Sequence, residues 1–244
     1  MRYVKAAYFW SMGLAITTLL FLGCALSQAF IVLTGRPRTG NVHHRIATIW
    51  GKSVIAVVPG WRVTVEGQEN VPERLTNTVI VANHESMADI WAMYYVGLPF
   101  RWLAKESVFK IPGIGQAMRW ARYVPIRRGQ RDSHASAMRE SAEHLRRGTP
   151  MFFFPEGTRS TDGTVKDFKL GAFKLAKETG ASVLPVAIHG AGGLLRKGSM
   201  VPSKTAHVRL RILPLVKGPA ESDDLDAYAA RVRASIVEAH AQLI

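Results

Sequence analysis

The chain has 244 residues, 48% of them hydrophobic, which is enough for one sizeable core after part of that apolar content is assigned to the N-terminus. Its 32 Lys and Arg against 18 Asp and Glu give a formal net charge of +14 and point to an anionic partner: nucleic acid, lipid headgroups or a phosphorylated substrate. The single cysteine, Cys24, lies inside an apolar run and excludes a disulfide framework and a thiolate metal cluster, while remaining compatible with a reducing compartment.

The first element is a 30-residue run without charge, "AAYFWSMGLAITTLLFLGCALSQAFIVLTG", between Lys5 and Arg36. A helix of that length crosses roughly 30 Å of hydrocarbon. The run exceeds the h-region of a secretory signal, so a retained anchor is the expectation over a cleaved leader. A second apolar patch, "IWGKSVIAVVPGW", is interrupted by Lys52 and ended by Pro59 and Gly60. It is too short to span, and reads as an interfacial or partly embedded hairpin partner, or else as a core helix. Trp10, Trp50 and Trp61 are candidates for headgroup depth. Residues 1–58 thus form a membrane-associated segment and 59–244 the principal domain.

From Trp61 onward, short β-branched and aromatic runs alternate with helical stretches. Strands are expected at "WRVTVEG", "TVIVAN", "FRWLAK", "RYVPI", "MFFFP", "SVLPVAI" and "HVRLRILPLV". Helices are expected over Met87 to Val96, Gln130 to Arg147, Phe168 to Thr179 and Asp223 to Ala241. In the second, Ala135, Met138, Ala142 and Leu145 mark the apolar side. In the last, Asp223 and Asp224 favour the first turn, and Leu225, Tyr228, Val232 and Ile236 share one face. The pattern predicts an α/β fold, a mixed central sheet flanked by helices and preceded by the N-terminal membrane-associated helical segment. "HGAGGLLRKG" and "SMVPSKTAH" read as loops, and neither GxxxxGK[ST] nor GxGxxG is present.

"ANHESMAD" places His84 where a buried strand runs into a loop, the usual mouth of an α/β site. Asp89, five residues on, is placed to accept the Nδ1 proton of His84 and leave Nε2 free to take a proton from a hydroxyl. Asn83 and Ser86 suit the strand exit or a helix cap. The His84-Glu85 pair is not a zinc-protease motif, because Ala88 stands where the second His would be, and no metal is expected there. The alternative for His84 and Asp89 is a polar junction with no chemical role.

"MFFFPEGTRS" sends a second apolar strand into Glu156, Gly157, Thr158 and Arg159. Arg159 offers a planar fork suited to phosphate, or a salt bridge to Glu156 that only fixes the loop. Between the two motifs, Lys105 and Arg127 stand at strand exits where cationic heads can bind an anion. Lys110, Arg119, Arg122 and Arg128 read instead as facing lipid or solvent.

Together, "NHESMAD", "KESVFKIPGIGQAMRWARYVPIRR", "FPEGTRS" and "VLPVAI", with Pro185, resemble the four ordered blocks of the glycerolipid acyltransferase family, in particular its bacterial 1-acylglycerol-3-phosphate acyltransferases. The family commonly has Gln where this chain has Glu85. The resemblance implies acyl transfer from an acyl-CoA or acyl-carrier-protein thioester to the free hydroxyl of a lysophospholipid, with phosphatidic acid as product and no tightly bound cofactor. It implies that His84 is the general base and Asp89 its orienting carboxylate. By the same resemblance Glu156 and Gly157 shape the acceptor pocket, Thr158 is a further substrate-binding residue, Arg159 and Arg127 hold phosphate, and Lys105 assists phosphate binding or stabilises developing negative charge. Membrane lipids then account for the positive charge without nucleic acid, and the cytoplasmic face of the inner membrane is the expected location. Glu85 and a basic loop near Arg196 leave another lysolipid acceptor open, including a lyso-ornithine lipid.

Overall fold

The computed structural model describes residues 2–127, 129–160, 163–195 and 201–244, so Arg128 and Arg196 lie outside the described residues. Two helices, α1 (Arg2–Leu33) and α2 (Asn41–Ala56), come first. They are followed by β1 (Trp61–Glu66), β2 (Thr78–Ala82), α3 (Asp89–Met93), β3 (Arg101–Lys105), α4 (Ile114–Trp120) and β4 (Val124–Ile126). The remainder is α5 (Arg131–Arg146), β5 (Met151–Phe153), α6 (Gly171–Thr179), β6 (Ser182–His189), β7 (Ala206–Ile212) and α7 (Leu225–Gln242).

All seven expected strands form, and they pair in one sheet of order β1-β7-β6-β2-β5-β3-β4. Neighbours run parallel except β6 against β7, which are joined without an α-helix among the described residues. The sheet is therefore mixed, as expected. Strand β2 is buried at all five positions, and its alternation divides the core in two. Ile80 and Ala82 join Phe152, Leu184 and Val186 beneath α1, α2 and α3, whose Phe9, Val54, Ile55 and Trp91 cover that face. Val79 and Val81 join Met151, Phe153 and Val183 on the other face, under α5, α6 and α7. Strands β2 and β5, which carry the two motifs, thus lie side by side at the centre, with both faces covered and little freedom to shift.

Several local expectations are corrected. Helix α4 arises within the basic segment, where seven residues are too few to show a periodicity. On α5 the buried side is Ala137, Ser141, Ala142, His144 and Leu145, and Ala135 is exposed. The serine is accommodated because its hydroxyl donates to the Ala137 carbonyl at 2.7 Å. The glycine-rich stretch after His189 is not wholly irregular, since Ala191–Gly193 closes a 3-10 turn. Arg119 and Arg122 are exposed but donate to the carbonyls of Phe109 and Arg38, so their heads are used in the structure.

At the N-terminus, residues 3–33 are long and apolar enough to cross a membrane, with mean hydropathy 2.1, and Leu14, Leu19, Leu22, Leu26 and Phe30 are exposed along them. That exposed apolar surface is consistent with membrane association. The second patch takes parts of both readings: α2 starts earlier, at Asn41, buries Val54 and Ile55 in the core and leaves Val42 and Ile49 exposed. Trp61 is not at headgroup depth. It is buried against Phe9, and its indole donates to the Ser203 carbonyl and hydroxyl. Trp50 likewise donates to Thr17 on α1, at 2.9 Å.

A buried polar chain ties α2 to the sheet. Leu98 offers only a carbonyl, so His44 Nε2 donates to it (3.0 Å) and His44 Nδ1 accepts from the Tyr123 hydroxyl (2.9 Å). Tyr123 in turn accepts from Tyr94, and Tyr94 accepts from the Trp102 indole. Every donor in this sequence meets one acceptor, which requires neutral His44, and burial pulls its pKa down to about 4. Gly51 is the residue that lets α2 approach: a Cβ there would stand 2.3 Å from Tyr94 Cδ2. Fully buried Arg101 fastens the loop before α2, donating to the Thr39 carbonyl and to Asn41 Oδ1.

Candidate active site

Strand β2 ends at Ala82, and Asn83 fixes the direction in which the chain leaves it. The Asn83 amide donates to the Ile188 carbonyl and accepts from the Ile188 N–H, both at 2.8 Å, locking the exit of β2 to the end of β6. The loop then curls around Asp89. Its Oδ2 accepts from His84 Nδ1 at 2.7 Å, from the Glu85 N–H at 2.7 Å and from the Ser86 N–H at 2.8 Å. Asp89 is wholly buried and its Oδ1 has no hydrogen-bond partner among the described residues. Burial pushes its carboxyl above the ordinary range, opposed by the bond and charge of His84 and by the Ser86 amide. Three donors on one oxygen favour the carboxylate, and a proton on Oδ1 would have no acceptor among the described residues.

His84 is therefore held with its proton on Nδ1. Nε2 makes no hydrogen bond among the described residues, and the side chain retains 12% exposure. A neutral imidazole in this state presents a lone pair able to accept a proton from a hydroxyl. The ring is stacked on Phe154, with centroids 3.9 Å apart and planes at 12°. Phe154 is the half-buried last member of the "FFF" run, and itself packs edge-on to Phe152. That alternation, two phenylalanines into the two cores and the third toward His84, is set by the pleat of β5.

The loop after β5 meets the same histidine through its backbone. Glu156 Oε1 accepts from the His84 N–H at 2.8 Å, Oε2 accepts from the Lys166 N–H at 3.3 Å, and the His84 carbonyl accepts from the Ser160 N–H at 2.7 Å. Glu156 is buried, which raises its carboxyl, and these amides counter the rise. Its carboxylate is thus taken by amides, and no Glu156 to Arg159 bridge forms among the described residues. Gly157 has φ +72°, and a Cβ there would stand 2.8 Å from Lys169 Nζ. The glycine both turns the loop and leaves room for that ammonium. Thr158 and Arg159 are exposed beside it, and the Arg159 carbonyl accepts from Lys166 Nζ.

Lys105 and Arg127 also come together, since Lys105 pairs in register with Ile126 at the end of β3 and β4. They are two and three strands from β2, about 10 and 14 Å by strand spacing, whereas Arg159 leaves from its immediate neighbour β5. Arg127 Nε donates to Glu106 at 2.6 Å, and this bond and charge lower the Glu106 carboxyl. The sequence-stated candidates therefore separate into a tight group, His84, Asp89, Glu156 and Gly157, an adjoining exposed pair, Thr158 and Arg159, and an outer cationic pair, Lys105 and Arg127.

Asn83 satisfies backbone groups at the strand exit, as expected, whereas Phe154 and Lys169 were not singled out by sequence reasoning for these places. For Phe154 the signal was its position directly before "PEGT", whereas Lys169 lies beyond the motif and carries no local mark. Glu85 also has an unforeseen partner: its Oε1 lies 2.7 Å from His240 Nε2 on α7.

Three comparisons bear on this arrangement. Residues 62–189, just over half the chain, match the family model described as Acyltransferase. The chain is 34% identical over 226 residues to the chloroplastic 1-acyl-sn-glycerol-3-phosphate acyltransferase LPAT1 of Arabidopsis thaliana, covering 93% of this chain but only 61% of that protein. It is 30% identical over 234 residues to a 1-acyl-sn-glycerol-3-phosphate acyltransferase of Chlamydomonas reinhardtii, covering 96% of this chain and 70% of the relative. Among solved structures, that of the 1-acyl-sn-glycerophosphate acyltransferase PlsC from Thermotoga maritima superposes with a TM-score of 0.75 at 30% identity, over 100% of this chain and 98% of that one. The matched span contains both motifs and the whole tight group around His84, and the chain belongs to the acyltransferase family, as its glycerolipid acyltransferase blocks implied.

Proposed function

We propose that this chain transfers a fatty acyl group from an acyl-CoA or acyl-carrier-protein thioester to the sn-2 hydroxyl of 1-acyl-sn-glycerol 3-phosphate, forming phosphatidic acid and free thiol. The observation that carries the reading is the His84 ring, fixed by Asp89 below and Phe154 alongside, with Nε2 unbonded among the described residues. His84 Nε2 takes the proton of the acceptor hydroxyl as its oxygen attacks the thioester carbonyl, and Asp89 stabilises the imidazolium that results. Collapse of the tetrahedral adduct breaks the carbon-sulfur bond, and His84 returns its proton to the leaving sulfur. The thiolate leaves readily, so positioning of the two substrates and proton removal are the main tasks of the protein.

Glu156 and Gly157 shape the acceptor side by holding the loop against the His84 backbone. Thr158, Arg159 and Arg127 bind the acceptor phosphate, with Lys105 assisting and Lys169 added to that set by its position over Gly157. Residues 1–58 serve as the membrane-attaching segment and 59–244 as the acyltransferase domain, on the cytoplasmic face of the inner membrane, where a lipid acceptor and a soluble donor meet. Glu85, which had suggested a different headgroup, is engaged with His240 and supplies no reason to prefer a lyso-ornithine acceptor.

The test is a turnover matrix of purified enzyme with lysophosphatidic acid, other lysolipids and a panel of acyl thioesters. Thiol release with phosphatidic acid formation is expected, and is lost in His84→Ala. Absence of product across the panel, or preference for a non-glycerophosphate acceptor, overturns the assignment.

A further inference from the structure

Beside the proposed acyl-transfer group lies a second cluster of heteroatoms that the reaction does not use. Glu85 from the loop after β2, His189 from the end of β6 and His240 from α7 bring one ligand atom each within 4.8 Å of one another. Glu85 Oε1 and His240 Nε2 are 2.7 Å apart, His189 Nδ1 and His240 Nε2 3.4 Å, and His189 Nδ1 and Glu85 Oε1 4.0 Å. The side chains are 9%, 26% and 11% exposed for Glu85, His189 and His240, so the cluster is largely withdrawn from bulk water.

Hydrogen bonding joins the cluster through His240 Nε2, which lies within reach of both Glu85 Oε1 and His189 Nδ1. His240 Nε2 carries at most one proton, which the carboxylate at 2.7 Å takes. His189 Nδ1 then faces a nitrogen whose proton is already committed. A single cation accepts all three lone pairs at once. Four tetrahedral ligands at about 2.0 to 2.1 Å from zinc stand about 3.3 Å apart, and the three observed separations bracket that value. Each separation differs from that value by less than 1 Å.

The geometry points to a binding site for a divalent transition cation of the zinc class, ligated by Glu85 Oε1, His189 Nδ1 and His240 Nε2. Two imidazoles and one carboxylate select zinc and its borderline neighbours over magnesium or calcium, which favour oxygen shells, and a fourth position is left for water. Binding displaces the proton shared by His240 and Glu85. The nearby positive group, Arg209, is occupied by the Leu243 carbonyl at 2.8 Å. The ligands contain neither His84 nor Asp89. The ion acts as a cross-link, joining α7 and the end of β6 to the loop whose Glu85 N–H donates to Asp89. Asn83 aligns this site too, because its clamp on Ile188 sets β6 beside the loop one residue before His189.

The test uses full-length protein purified without a polyhistidine tag and stripped with a chelator. Competition with a chromophoric chelator should give one zinc equivalent per chain, with a visible d-d spectrum when cobalt is used instead and no competition from millimolar magnesium. His189→Gln and His240→Gln should each weaken zinc binding at least a hundredfold and abolish the rise in Tm that zinc gives the parent. His84→Ala should bind zinc as the parent does, which separates this result from the fate of the acyl-transfer reading. If His240→Gln does not fold, His189→Gln at the strand end and Glu85→Gln carry the same comparison. Absence of stoichiometric binding, equal binding by the parent and the His189 variant, or displacement of zinc by magnesium overturns the site.

Discussion

Replacing Asp89 by Asn tests the charge of the buried carboxylate while keeping its shape. An Asn side-chain oxygen in the place of Oδ2 still accepts from His84 Nδ1 and from the Glu85 and Ser86 amides, so the loop geometry is retained. What is lost is the negative charge facing the imidazolium formed on proton removal. For unit charges about 4 Å apart at an effective dielectric constant of about 20, that interaction is about 4 kcal/mol. A loss of that size lowers kcat about a thousandfold. The new amide also places donors where Oδ1 has no partner among the described residues, adding about 1 to 3 kcal/mol of folding cost. The assay is initial-rate thiol release with lysophosphatidic acid, run alongside a thermal melt so that turnover is compared between folded samples. A well-folded Asp89→Asn enzyme retaining more than about a tenth of the parent kcat would refute the electrostatic role of Asp89.

Gly51→Ala should destabilise the protein by about 1 to 3 kcal/mol, despite alanine's better helix propensity, because Tyr94 is buried and hydrogen-bonded and cannot retreat from the new methyl. An unchanged Tm would refute the close approach. Arg127→Ala should raise KM for lysophosphatidic acid about tenfold with little change in kcat, a loss of about 1.4 kcal/mol in ground-state binding. A fall in kcat at constant KM would move Arg127 from binding to chemistry. Burial pulls His144, like His44, down to about 4 from 6.5, so its contribution is full above pH 6.5 and is lost as pH falls through about 4. Burial raises Asp89 and Glu156, which gives a contribution of opposite sign, so the readout is the difference between parent and His144→Gln. That difference in unfolding free energy should shrink by about 3 kcal/mol from neutral pH to pH 4, and a pH-independent difference would refute neutral burial of His144.

The elements most legible in the sequence were those whose signal is local. "TVIVA" and "MFF" are continuous apolar runs because the central strands are covered on both faces, and both runs are strands. His84 and Asp89 are five residues apart, close enough for the spacing itself to imply the bond that forms. Helix α4 was not legible because it is short, and on α5 the expected Ala142 and Leu145 are buried while Ala135 is not, because a serine and a histidine that carry no apolar signal share the buried face. The role of Trp61 was misjudged for a related reason: an aromatic residue flanking an apolar segment suits an interface and a core equally, and only the packing of Phe9 against it decides.

By itself the sequence determined the alternation of strands and helices, the apolar N-terminal helix, the histidine and carboxylate pair, and the order of blocks that marks the family. Tertiary structure decided which distant residues share the carboxyl end of the sheet. Glu156 reaches the His84 backbone across 72 residues, and Glu85 reaches His240 across 155. Strand order governs both contacts: β5 and β6 flank β2 on its two sides, so one loop beside His84 brings Glu156 and Phe154, and the other brings His189. Linear spacing records what a short loop can join. It does not record which strands become neighbours, because that depends on the simultaneous burial of both faces of the sheet.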